Sequence, residues 1–202
     1  MYKKILSIFV AAVVLTLGAA SLNANMITDI TSELKYGANV GLTYGHTKTD
    51  AAGVDTTSGV GYSLGGTATH EVNEKLNVNL GLGINTVNSE QEVSSVKTES
   101  KLTYLHIPLT TEYALPYETG NFSFSVEGGG YIAYLLSAGG DVDKDIIYDG
   151  DYGIVLGVSA KTSSPISSIE NMKMSVNYNS GLKEIVTDTK NAGFNISVSG
   201  QF

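Results

Sequence analysis

The feature that most narrows the fold is an alternation of period two, recurring from about residue 34 to residue 202. Successive residues of a strand point to opposite faces, so such an alternation gives each strand two unlike sides. The segment near 76–88 is the clearest. Leu76, Val78, Leu80, Leu82 and Ile84 fall on one face, and Asn77, Asn79, Gly81, Gly83 and Asn85 on the other. Tyr36, Ala38, Val40, Leu42 and Tyr44 oppose Lys35, Gly37, Asn39, Gly41 and Thr43 in the same way. Eight candidate strands lie near 34–45, 58–70, 76–88, 101–114, 121–136, 151–161, 172–181 and 191–202. In a soluble sheet the polar side would carry long charged residues facing water. Here it carries Gly, Ser, Asn and Thr, which suit a cramped lumen, while the apolar side suits lipid. The pattern predicts an all-β fold: an eight-stranded antiparallel up-and-down transmembrane β-barrel.

Aromatic spacing agrees. Tyr36 and Tyr44 stand eight residues apart on one face, and so do Phe194 and Phe202. Eight residues rise about 26 Å along a strand, or about 20 Å of membrane depth at the tilt usual in barrels. The four residues therefore read as an aromatic girdle at the two edges of an apolar belt. The connections alternate too. Segments 46–57, 89–100, 137–150 and 182–190 are polar and mostly long, whereas 71–75 and 115–120 are short and 162–171 is intermediate. An even strand count puts both termini on one side, expected to be the periplasm, with the long loops outside. The fourth segment is irregular. Leu102 and Tyr104 share one parity, Leu105, Ile107, Leu109 and Tyr113 take the other, and Pro108 removes a ladder donor. A bulge near Tyr104–Pro108 would reconcile them.

The front of the chain reads as an export signal. Lys3 and Lys4 precede the apolar run Ile5–Leu17 and then small residues, so cleavage is expected after Ala20 or Ala24. Residues 1–24 are thus assigned to a signal peptide and 25–202 to one barrel domain, in the outer membrane of a bacterial envelope. The chain has no cysteine, which removes disulfides and thiolate metal sites. Its net charge of −8, with no arginine, argues against a nucleic-acid partner.

Short motifs add a family likeness. Leu102-Thr103-Tyr104-Leu105-His106-Ile107-Pro108-Leu109 and the stretch Glu127-Gly128-Gly129-Gly130-Tyr131-Ile132-Ala133-Tyr134-Leu135-Leu136-Ser137-Ala138 resemble paired strands of the outer-membrane β-barrel family that includes PorT-like proteins. Tyr178-Asn179-Ser180-Gly181-Leu182 is similar to a later strand end of that family, with Asn177 where arginine is frequent, and Lys190-Asn191 to Phe202 is similar to its close. The resemblance implies an eight-stranded barrel and a terminal aromatic, Phe202, that serves the barrel-insertion machinery. It implies little about task.

Chemistry is sparse. His46 is expected to open an outer loop, His70 to sit at a periplasmic turn and His106 to lie mid-strand on the polar face, so the three do not converge on one metal or catalytic site. His46 with Ser58 and Asp50 or Asp55 is the one set resembling those of lipid A-modifying barrels, and nothing in the sequence fixes its geometry. Loop 140–151 begins D-x-D-x-D, but Ile146 replaces the glycine of a calcium loop and Tyr152 its bidentate glutamate. A solvated surface loop is the expectation there. No catalytic residue, cofactor or metal is assigned. The inward charges Lys35, Glu112, Glu127, Lys161 and Lys173 form the main constellation, since charges in a narrow lumen must pair or stay wet.

The reading is a non-enzymatic, porin-like outer-membrane barrel with a structural or surface-interaction role, a polar and largely filled lumen, and outer loops available to a protein partner. The alternatives are a narrow pore for water or small solutes, a lipid A-modifying enzyme, and a soluble ligand-binding barrel of lipocalin type. The last would want an apolar lumen and a tryptophan near the first strand, and the chain has no tryptophan.

Overall fold

A computed structural model describes residues 34–49, 54–93, 96–142, 147–186 and 189–202. The signal peptide expected over residues 1–24 lies outside the described residues. Eight antiparallel strands follow one another around a closed barrel: β1 (Lys35–Thr49), β2 (Val54–Asn73), β3 (Leu76–Val93), β4 (Val96–Thr119), β5 (Phe122–Gly140), β6 (Gly150–Ser163), β7 (Asn171–Val186) and β8 (Thr189–Gln201). Each strand pairs with its sequence neighbour, and β1 closes on β8 over the register Gly37↔Gln201 to Thr49↔Thr189. Closure satisfies the backbone groups along both edges, the condition for a sheet in lipid.

The alternation sets the facing. On β1, Val40, Leu42 and Tyr44 are exposed on the outer wall while Thr43, Gly45 and Thr47 are buried within. Leu64, Leu82, Ile84, Ile132, Ile154, Leu156, Val176, Ile196 and Val198 continue the outer apolar belt. The register sets Tyr44 opposite Phe194, and the Phe202 amide donates to the Tyr36 carbonyl at 2.8 Å. The Phe194 ring also packs on Tyr178 of β7, with centroids 5.0 Å apart.

The strands run further than the alternation predicts at the end away from the termini, here the loop end. Most of 89–100, expected as a loop, is the β3–β4 ladder, paired from Asn88↔Lys101 to Val93↔Val96. Lys97 bridges to Glu90 at 2.6 Å across it. Segments 46–57 and 182–190 likewise contribute residues to β1, β2, β7 and β8. The β3–β4 extension is polar on both faces, so no apolar period marks it as strand. At the turn end, β4 also absorbs most of 115–120.

The fourth segment does not change parity. From Leu102 through Tyr104, His106, Pro108 and Thr110 to Glu112, every even-numbered residue of β4 faces the lumen, in unbroken register with β3. The irregularity lies on β5, where Tyr104 pairs with Leu135 but Thr103 with Ser137, leaving Leu136 as the extra residue. Leu102 and Tyr104 are therefore lumen residues, and a bulge in β4 is not needed.

At the loop end β2 bends so that β1 and β3 meet across the lumen. The Thr43 hydroxyl donates to the Thr86 carbonyl, and the Gln91 amide to the Thr47 hydroxyl at 2.9 Å. Gly61 makes this approach feasible, because a Cβ there would lie 2.2 Å from the Thr86 oxygen.

Candidate functional site

The lumen is layered from the turn end to the loop end. At the turn end Lys173 on β7 reaches Glu112 on β4 at 2.7 Å, and Glu112 also takes a long hydrogen bond of 3.4 Å from the Asn79 amide. The register places Glu127 opposite Glu112 and Lys161 opposite Lys173, so two acids on one wall confront two lysines on the other. The Thr110 hydroxyl donates to Glu127. Lys161 makes no ion pair among the described residues and lines a cavity of about 60 Å³ with Glu112 and Lys173. Lys35 stands apart from this group. Its partner is Glu71 at the rim, 2.7 Å away, and both are well exposed.

Above the charges lies a polar cavity of about 130 Å³, walled by Asn39, Asn79, Thr110, Glu127, Ser175 and Ser197 among others. Such a volume and lining suit a few waters. Higher still the lumen turns apolar. Leu102, Tyr104, Tyr131, Ala133, Leu135, Val155 and Ile185 form a buried cluster, and Ile147 enters it from the β5–β6 connection. That connection is tied down by the Tyr148 amide on the Ile185 carbonyl at 2.8 Å and the Leu135 amide on the Asp149 carbonyl at 2.7 Å. Segment 140–151 is therefore more than a solvated loop: Ile147 plugs the barrel and Asp151 points into it.

The sequence reading missed this layer, although a signal was present. Leu102 and Tyr104 share the parity of Glu112, and Tyr131, Ala133 and Leu135 that of Glu127, so apolar residues on a lumen-facing parity mark a plug.

The histidines stay apart. His46 lies on the outward parity of β1 beyond Tyr44, His70 on the outward parity of β2 near the turn end, and His106 inside with its ring centroid 4.8 Å from Tyr131. Gly45 pairs with Gly59, which brings Ser58 near His46. Asp50 and the side chain of Asp55 lie outside the described residues. Among the described residues no group of three or more His, Asp or Glu side chains is arranged to hold a metal.

A closed antiparallel barrel with an apolar outer belt and a polar, plugged interior defines an integral membrane β-barrel. The family model described as "Outer membrane protein beta-barrel domain" matches residues 20–186, and the chain belongs to that family. It is a protein of the bacterial outer membrane, seated in the lipid of that membrane. Among solved structures, Neisserial surface protein A (NspA) is similar at 14% identity, covering 83% of this chain and 97% of that one, with a TM-score of 0.50. Ail, the attachment invasion locus protein of Yersinia pestis, is similar at 12% identity over 84% and 99% of the two chains, with a TM-score of 0.45. The likeness to NspA is one of fold. A search of curated protein sequences finds no match.

Proposed function

We propose that this chain is a structural, surface-presenting barrel without enzymatic activity, its lumen closed to solutes and its loop end offered to protein partners outside the cell. The termini and tight turns are read as periplasmic, with the chain entering the membrane through the insertion machinery that recognises the β8 end. Within the family, the motifs around Leu102–Leu109 and Glu127–Ala138 favour the PorT-like branch.

The observation that carries the closed-lumen reading is the buried cluster of Leu102, Leu135, Val155 and Ile185 completed by Ile147. These apolar side chains fill the upper lumen and offer a hydrated solute no hydrogen bonds of their own. Planar-bilayer recording tests it: the purified barrel should give no reproducible single-channel steps, and steady steps would overturn the reading. A narrow pore is the second reading, favoured by the polar cavity beneath the plug. If steps were found, Ser197→Phe would fill that cavity from the wall and should abolish them. Gly129 is a poor site for such a block, because a Cβ there would fall 2.2 Å from the Leu109 carbonyl oxygen and disturb the sheet itself.

A further inference from the structure

Level with the apolar plug, where β6 pairs with Ala133, sits a carboxylate with half of its hydrogen-bonding capacity unused. Asp151 is only 5% exposed. Its Oδ2 accepts from the Tyr131 hydroxyl at 3.1 Å and from the Asn191 amide at 3.0 Å. Its Oδ1 is buried and has no partner. The Asn191 amide nitrogen is fully committed, since it also donates to the Tyr104 hydroxyl at 3.0 Å, which fixes the orientation of that amide. Asn191 Oδ1 is thereby left as a second buried acceptor with no partner, in a residue also 5% exposed. Both side chains line one small space of about 30 Å³, with room for a water-sized guest and little more.

The unmet groups around this space share a character. Asn85 Oδ1 is a third buried acceptor without a partner, and His106 Nε2 is likewise unmatched. The three oxygens Asp151 Oδ1, Asn191 Oδ1 and Asn85 Oδ1 present lone pairs and call for a guest that brings positive charge or protons. Among the described residues no lysine forms an ion pair with Asp151. Lys183, on the β7 side, lies over the Tyr148 ring at 5.6 Å and forms no ion pair with Asp151. An unpaired carboxylate in such surroundings is costly, whereas one compensating charge at contact offsets most of that cost.

We propose that Asp151 and Asn191 hold a single alkali-metal cation in the upper lumen. One carboxylate supplies one negative charge, so a monovalent ion balances the site where a divalent ion would leave it charged. The Asp151 and Asn191 side-chain oxygens are hard ligands suited to such ions. Entry is from below. Asn85, His106 and Asn179 line both this space and the larger polar cavity beneath, while the apolar cluster seals the loop end. The ion thus acts as a pin that joins β6, β8 and the plug.

The test uses the full barrel purified in detergent micelles. Its unfolding midpoint, read from the heat-modifiable gel shift, is compared in sodium, potassium and choline chlorides at equal ionic strength and pH. A specific site predicts a midpoint several degrees higher in one alkali salt than in choline, rising with concentration and then saturating, as for any ligand that binds only the folded state. Asp151→Asn should abolish that dependence. Lys183→Met, which removes a competing positive charge, should shift saturation to lower salt. A wild-type midpoint equal in all three salts, or a dependence unchanged in Asp151→Asn, overturns the proposal. If Asp151→Asn does not fold, crystals of the wild-type barrel soaked in thallium(I) decide. An anomalous peak within coordination distance of the Asp151 carboxylate supports the site, and a difference map without one overturns it.

Discussion

Glu112 on β4 and Lys173 on β7 meet at 2.7 Å across the lumen, although β5 and β6 lie between their strands in the sheet. The pair ties two opposite walls together. Lys173 faces Lys161 in the register, and Glu112 faces Glu127, so each partner also has a like charge beside it. Removing one member exposes that repulsion and leaves a half-buried charge without its counter-ion. Glu112→Gln should therefore destabilise the barrel by about 3 kcal/mol, near the lower end of the range for breaking a buried pair because Lys173 keeps some contact with solvent. Glu112→Leu combined with Lys173→Met should cost less than Glu112→Leu alone, since no charge is then stranded. With no tryptophan in the chain, urea unfolding is best followed by far-ultraviolet circular dichroism. A double variant less stable than the single one would show that the pair contributes more than charge balance.

Val40 is 60% exposed and stands midway between Tyr36 and Tyr44, opposite Val198, itself midway between Phe194 and Phe202. This is the centre of the belt on the closure seam. Val40→Arg should cost about 2–4 kcal/mol in a lipid bilayer, the usual penalty for a cation at the midplane. His46→Arg, on the same face but past Tyr44, should cost about 1 kcal/mol or less. Equal costs at the two positions would mean that the belt does not face hydrocarbon.

The facing of each strand was legible from sequence because a lipid-facing and a lumen-facing wall impose opposite chemistry at alternate positions. Strand ends at the loop end were not. Glu90, Glu92, Lys97 and Glu99 on one face and Ser89, Gln91, Thr98 and Ser100 on the other make both faces of the ladder polar where it extends past the belt, and period two disappears when neither face is apolar. The lumen charges illustrate both outcomes. Parity alone put Glu112, Glu127, Lys161 and Lys173 on the inner wall, but it could not tell that Lys35, on the same parity, lies at the rim with Glu71. The Asp151–Asn191 layer needed three dimensions. Asp151 on β6 and Asn191 on β8 are far apart in the chain and meet inside the barrel across β7, an arrangement that leaves no local pattern.

Gly61 and Gly66 both lie on β2, yet their surroundings differ. A Cβ at Gly61 would lie 2.2 Å from the Thr86 carbonyl oxygen and 2.5 Å from the Thr43 hydroxyl, whereas at Gly66 the nearest atom is 3.5 Å away. Gly61→Ala must push β1 and β3 apart where they touch, so a loss of about 1–3 kcal/mol is expected, as for other overpacked sites. Gly66→Ala should change stability little. Comparing the two unfolding midpoints checks whether the pinched loop end is a requirement of the fold, and equal midpoints would say that it is not.

Phe202 combines a backbone role with an exposed ring. Its amide extends the β1–β8 seam by one hydrogen bond to Tyr36, while its side chain is 55% exposed on the outer wall. Phe202→Ala keeps the hydrogen bond and removes modest buried area, so the assembled barrel should unfold at nearly the wild-type midpoint. If the aromatic end is what the insertion machinery reads, the same variant should reach the outer membrane in clearly reduced amount, with the loss appearing as unfolded or degraded chain. Quantifying the folded, heat-modifiable band in the membrane fraction against total synthesis separates the two effects. Normal membrane levels with a lowered midpoint would reverse the assignment, making Phe202 a packing residue of the seam and no signal for assembly.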